Sequence, residues 1–345
     1  MAYSSSKGSS EKKSVGDIIV DVFLKDVEKA GVLPWTMPYN RYSAFNYVNL
    51  TQYHGINRLI LPFGEYLTMN QIIAWNKSHN TNYRFDAENG VWWEVVFFKV
   101  DRKDVSKAEY ESYAEKEMSY EDFIAEGNKC FRVMNWLVYS QDGRVMKRRN
   151  ILRYTRVADR TFFVDPDTGK CLPSRIESGD VSIERYKPQD ILNGYIQRSG
   201  VKEKETSDVP YYTLSEDTVY MNNHAKSEDD YWSIRFHEYA HSTCIGSRCA
   251  REWWNLWESK TGKSMSSADI EDARAKEECI AEIASSMLCS ECDIHNFSTS
   301  ESSNYKNNLA YVQHWKSKIK DWGSSFIYVV SEAEKAYQMI MGADC

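Results

Sequence analysis

His237-Glu238-Tyr239-Ala240-His241 constrains this chain more than any other stretch of it. Residues four apart on an α-helix lie one above the other, so the two imidazoles of an H-E-x-x-H segment can reach a single metal ion. The glutamate after the first histidine leans over the open coordination position, where it can take a proton from water. The flanking residues predict the helix itself. Ser227 and Asp230 have the spacing of a capping box, and Gly246 stands where a chain commonly leaves a helix. Trp232, Phe236, Tyr239, Ala240 and Thr243 form an apolar stripe for a core, while Ile234, His237, Glu238 and His241 form the opposite one.

Two histidines do not complete a metal site. Residues 269–289 supply the third ligand on a second predicted helix. Ala273, Ile280, Ile283, Ala284 and Met287 make its apolar face; Ala275, Glu278, Glu282, Ser285 and Cys289 make the other. A solvated face would carry lysines and arginines. This one has small residues, which allow close helix approach, around two carboxylates, which when buried need a cation or hydrogen-bond donors to offset desolvation. Glu278 is assigned to the metal, a zinc ion, and Glu282, one turn on, to the outer nitrogen of a ligand imidazole.

At 345 residues the chain has room for two domains. It lacks any apolar run approaching the roughly 18–20 residues of a membrane span, and its first fourteen residues lack the apolar core of a secretory signal. A cytoplasmic location without membrane partners is expected. The eight cysteines are then reduced thiols, and Cys289-Ser290-Glu291-Cys292 ends a buried helix. The net charge of −7 argues against a simple nucleic-acid binder, but it is unevenly spread: residues 1–160 carry +3 and residues 161–345 carry −10.

Apolar periodicity predicts helices over 15–30, from Thr68 to about Asn76, and over 303–318 and 324–341. Residues 91–100 read as a buried strand, and 131–139, 161–164, 211–214 and 218–221 as further strands. Asp142-Gly143 predicts a hairpin turn. Residues 165–210 are polar and proline-containing, as expected of a connection. The fold class expected is α+β in two domains, a small mixed α/β domain followed by a mainly helical one with a short sheet.

On HEYAHSTCIGSRCAR and KEECIAEIASSMLC the chain resembles the zincin-like metallopeptidase domain of ArdC-type antirestriction proteins, carried by plasmids and phages. LPWTMPYN, Tyr53-His54-Gly55-Ile56-Asn57-Arg58-Leu59 and Tyr66-Leu67-Thr68-Met69-Asn70-Gln71 resemble that family's N-terminal domain, which binds single-stranded DNA. Residues 308–312 and Trp315 resemble its closing helices. Cys244 departs from the pattern where the family has glycine, and residues 251–267 lengthen the link between the two metal helices. The resemblance implies a tail at 1–14, a DNA-binding domain at 15–165, a connection at 166–208 and a metallopeptidase domain at 209–345.

The residues themselves offer a second argument for DNA. Single-strand binders combine cations with aromatic platforms on which bases stack. Trp35, Tyr39, Arg41, Tyr42, Phe45, Tyr47, Tyr53 and Arg58 interleave the two types, and residues 144–160 hold six arginines and one lysine against one aspartate. Tyr53, Asn57, Arg58, Arg148, Arg149 and Arg153 are the candidate contacts. The function expected is a zinc-dependent peptidase acting on an unknown protein and coupled to single-stranded-DNA binding. Glu238 is the general base; Tyr220 and Arg248 are candidate oxyanion donors. The alternative is a DNA-protecting protein in which zinc only staples two helices.

Overall fold

The computed structural model describes residues 13–36, 44–127, 129–180, 186–254, 266–294 and 305–342, with the backbone alone over 305–309. Most of the 1–14 tail, together with Tyr39, Arg41 and Tyr42, lies outside them. In chain order the elements are α1 (Val15–Ala30), β1 (Phe45–Asn46), α2 (Ile56–Ile60), β2 (Glu65–Leu67), α3 (Met69–His79), β3 (Arg84–Phe85) and β4 (Trp93–Asp104). There follow α4 (Lys107–Glu111), α5 (Tyr120–Glu126), β5 (Cys130–Val133), β6 (Trp136–Gln141), β7 (Arg144–Asp159) and β8 (Phe163–Val164). The remainder comprises α6 (Pro188–Ser199), β9 (Lys202–Glu205), β10 (Tyr211–Thr213), β11 (Thr218–Met221), α7 (Glu228–Ser242), α8 (Ser267–Glu291), α9 (Tyr305–Trp322) and α10 (Ser325–Met341). The fold is a mixture of helices and small sheets, in the class expected. Among the described residues no helix is long and apolar enough to cross a membrane.

Packing divides the chain into residues 1–95 with 156–345, and residues 96–155. The smaller unit is built on antiparallel pairing of β5 with β6 and of β6 with β7. Asp142 and Gly143 both adopt positive φ, 51° and 71°, as a two-residue hairpin turn requires. Val105, Tyr110, Phe123, Val138 and Val145 form its core under α4 and α5, which Ser106 and Ser119 cap. The run at 91–100 is not buried throughout: Val95 and Val96 are, but Phe97, Phe98 and Val100 face solvent. β-branched and aromatic residues set strand propensity without specifying how many faces will be covered.

In the larger unit, α1 has the boundaries its periodicity predicts, with Ser14 capping Asp17 N and Gly31 leaving in the left-handed conformation. Its Phe23 stacks on Trp35 at 6.3 Å and tilts against Phe326 at 5.1 Å; Trp35 meets Trp315 edge-on. Full burial of each such ring contributes about 1.5–3 kcal/mol. Residues expected in separate domains therefore share one core. The segment 166–208 also does more than connect: α6 buries Ile191, Leu192 and Tyr195, and β9 pairs in parallel with β11.

The three-stranded sheet runs in the order β10-β11-β9. Helix α7 packs on this sheet and on α8, which in turn packs on α10. Trp232, Phe236, Tyr239, Ala240 and Thr243 are all buried, as the apolar stripe of α7 predicts. The small residue Ser285 lets α8 approach closely enough to donate to the Ser233 carbonyl at 3.0 Å.

Candidate metal centre

Helix α7 starts at Ser227, whose side chain accepts from Asp230 N, and carries acidic residues in its first turn, where the helix dipole favours them. Two turns on, it presents His237, Glu238 and His241 beside Glu278 of α8. His237 Nε2 and His241 Nε2 are 3.1 Å apart, and Glu278 Oε2 lies 3.6 Å from the first and 3.5 Å from the second. Zinc bonds of about 2.0–2.1 Å in a tetrahedron span edges of about 3.3–3.4 Å. The triangle fits such an ion, and its two nitrogens and one oxygen are a zinc donor set. Contacts with both histidines hold the Glu278 carboxyl well below its usual range, even though burial opposes ionisation.

Glu277, rather than Glu282, meets the outer nitrogen of an imidazole: its Oε1 lies 3.2 Å from His241 Nδ1. Among the described residues no hydrogen bond joins Glu282 to either histidine. Glu282 lies one turn beyond Glu278 on α8, but the approach of α7 turns His241 toward Glu277. Glu277 is 4% exposed, and a buried carboxylate needs a cation. Arg251 supplies it.

Arg251 is itself 2% exposed. Its Nε donates to Glu277 Oε2 at 2.7 Å and its second nitrogen to Oε1 at 2.5 Å. The remaining donors reach Thr243 Oγ1 at 2.6 Å and the Ala240 carbonyl at 3.0 Å, at the end of α7. One guanidinium thus ties the last turn of the H-E-x-x-H helix to the carboxylate behind His241. Burial opposes the charged form of Glu277, yet Arg251 and His241 outweigh it and bring the carboxyl to about 2. Burial likewise lowers the His241 pKa, but Glu277 and Glu278 raise it to about 10 without a metal. With Glu277 against Nδ1, Nε2 is the nitrogen that faces the triangle and would give up its proton to a metal. The sequence contains Arg251 ten residues beyond His241, but nothing local marks it as buried.

A cleft of about 430 Å³ opens at the triangle, lined by residues 210–215, Glu238, Cys244, Trp253 and Arg274 among others. Glu238 is half-buried there, and its charge contributes to the raised His241 pKa. The two candidate oxyanion donors are engaged elsewhere. Arg248 binds both carboxylate oxygens of Asp217 at 2.8 Å and the Ser242 carbonyl at 2.6 Å. Tyr220 donates to Glu216 and stacks on Tyr211. Cys289 and Cys292, at the end of α8, are free thiols.

The candidate DNA contacts have different environments. Arg58 is buried, bound to Glu291 at 3.2 Å and lying over the Tyr337 ring, and Asn57 is 9% exposed. This arrangement makes both part of the interior rather than a surface for phosphates; Gly55 loosens the backbone, but α2 then turns them inward. Tyr53 is half-buried edge-on to Tyr66. In the smaller unit, Arg149 pairs with Asp101 and covers Trp136, whereas Arg148 and Arg153 are exposed.

Residues 191–328 match the family model of a zincin-like metallopeptidase, which implies zinc as the metal. No curated protein sequence matches the chain. Two solved structures of the antirestriction protein ArdC from the R388 plasmid share its fold. The metal-free one is 19% identical, covering 95% of this chain and 97% of its own at a TM-score of 0.54. The Mn(II)-bound one is 17% identical, covering 96% and 98% at a TM-score of 0.55. The chain is thus ArdC-like in fold along nearly its whole length, and the segment that matches the zincin-like metallopeptidase model contains the His237–His241–Glu278 centre.

Proposed function

We propose that the chain is an antirestriction protein of a mobile element, which binds single-stranded DNA and hydrolyses peptide bonds at the His237–His241–Glu278 centre. The observation that carries the hydrolytic reading is the closed donor triangle with Glu238 beside it in an open cleft. A metal that only stapled two helices would have no use for that carboxylate. A divalent ion held there supplies Lewis acidity, lowering the pKa of water and polarising a carbonyl. Glu238 takes the proton released from water and returns it to the leaving amine. Glu277 and Arg251 keep His241 in the ligating tautomer. β10 stands at the end of its sheet and lines the cleft, so its outer backbone edge is placed to pair with an extended peptide.

The test is a mixture-based peptide-cleavage screen on zinc-loaded protein, with metal content measured in parallel. Cleavage abolished by chelation and restored by zinc is the expected result. Stoichiometric zinc without cleavage of any peptide would favour protection through DNA occupancy alone.

The DNA-binding reading is supported by the smaller unit. There Arg148 and Arg153 are exposed, and Phe97, Phe98 and Tyr154 are 47%, 60% and 49% exposed. Exposed rings and exposed cations in one unit suit base stacking and phosphate contact. For single strands, log affinity falls with log salt by about 0.7 per phosphate neutralised. Arg148→Gln with Arg153→Gln should therefore weaken oligodeoxythymidylate binding and flatten its salt slope by about 1.4. Unchanged affinity and slope would remove these two residues from the DNA interface.

A further inference from the structure

Arg274 lies on α8 one helical turn before Glu278 and lines the same cleft. It is exposed, and among the described residues no carboxylate lies within ion-pairing distance of it. The neighbouring charges are already committed. Glu277 is held by Arg251, and Glu278 belongs to the donor triangle with both histidines. Arg274 is the one arginine or lysine lining the described cleft. Its planar fork of donors matches a carboxylate.

We propose that Arg274 determines specificity by receiving a carboxylate of the bound peptide, either an acidic side chain or the chain's own C-terminus. This rests on the peptidase reading above. One helical turn is about 5.4 Å, which places the Arg274 backbone about two peptide units from that of Glu278, within reach of residues flanking a bond held at the centre. The flanking walls suit the body of such a peptide: Leu214 and Trp253 offer apolar surface, and β10 offers backbone.

The experiment measures binding of four metal-chelating probes to zinc-loaded full-length protein by calorimetry. Acetyl-Ala-Glu-hydroxamate against acetyl-Ala-Gln-hydroxamate tests a side-chain carboxylate. The malonyl hydroxamate of alanine against its carboxamide tests a C-terminal one. At least one acid should bind wild type about ten-fold more tightly than its neutral counterpart. That preference should vanish in Arg274→Gln, reverse in Arg274→Glu and partly survive in Arg274→Lys, with zinc content stoichiometric throughout. Equal binding of acid and neutral probes to wild type, or a preference that survives in Arg274→Gln, would overturn the proposal while leaving the peptidase reading intact. If oligodeoxythymidylate displaces the acidic probe and Arg274→Gln abolishes that displacement, Arg274 serves phosphate instead, which also overturns it. A zinc-loaded protein that binds none of the probes overturns the open metal site and this inference with it.

Discussion

Arg251→Met should lower the unfolding free energy by about 3–5 kcal/mol, because it leaves the Glu277 carboxylate buried without its cation. Denaturant unfolding followed by intrinsic fluorescence measures the loss. The double variant Arg251→Met/Glu277→Gln should recover part of it, since removing the orphaned charge removes most of the desolvation cost. In the double variant zinc affinity should fall about 10–100-fold, because His241 loses the carboxylate that faces its Nδ1. The pH dependence has a definite sign. Glu277 titrates at about 2 in the folded protein against an ordinary 4.5, so its contribution is complete above the ordinary value and fades as pH falls toward 2. A loss below about 1 kcal/mol in Arg251→Met would show that the buried pair is not what holds the helices in register.

Glu238→Gln should retain stoichiometric zinc yet lose hydrolysis of any peptide found by the cleavage screen, by about 10²–10⁴-fold. The amide keeps the shape of the side chain but cannot accept a proton. Glu238 is outside the donor triangle, so metal content should separate this variant from His241→Ala, which should lose most of its zinc. Equal metal loss in the two would make Glu238 a ligand. Retention of both zinc and full hydrolysis in Glu238→Gln would assign the proton transfer to another group.

Local chemistry made much of this protein legible before its structure. Ser14 and Gly31 bound α1, Thr68 and Gln71 box the start of α3, and Ser227 opens α7, all through contacts within a few residues. The donor triangle was also readable, because His237 and His241 share a helical face and α8 offers Glu278 among small residues. Contacts between distant segments were not. Arg251 reaches Glu277 across 26 residues, so the spacing within α8 favoured Glu282 as the partner of an imidazole. Trp35 finds Trp315 and Phe326 some 280 residues away, which is why a boundary between two sequential domains looked natural. Asn57 and Arg58 read as polar contacts in a segment rich in aromatics and cations, which could not reveal that Glu291 and Tyr337 would draw Arg58 inward.

The guanidinium at the end of α7 has a consequence for how the protein meets its metal. In small zinc modules the ion is the scaffold, and chelation unfolds them. Here Arg251, Glu277, Thr243 and the Ala240 carbonyl fix the rear of the centre through bonds that do not pass through the ion. The rear of the centre is therefore preassembled by contacts within the protein. Chelation should leave the protein folded, with its far-ultraviolet circular dichroism unchanged.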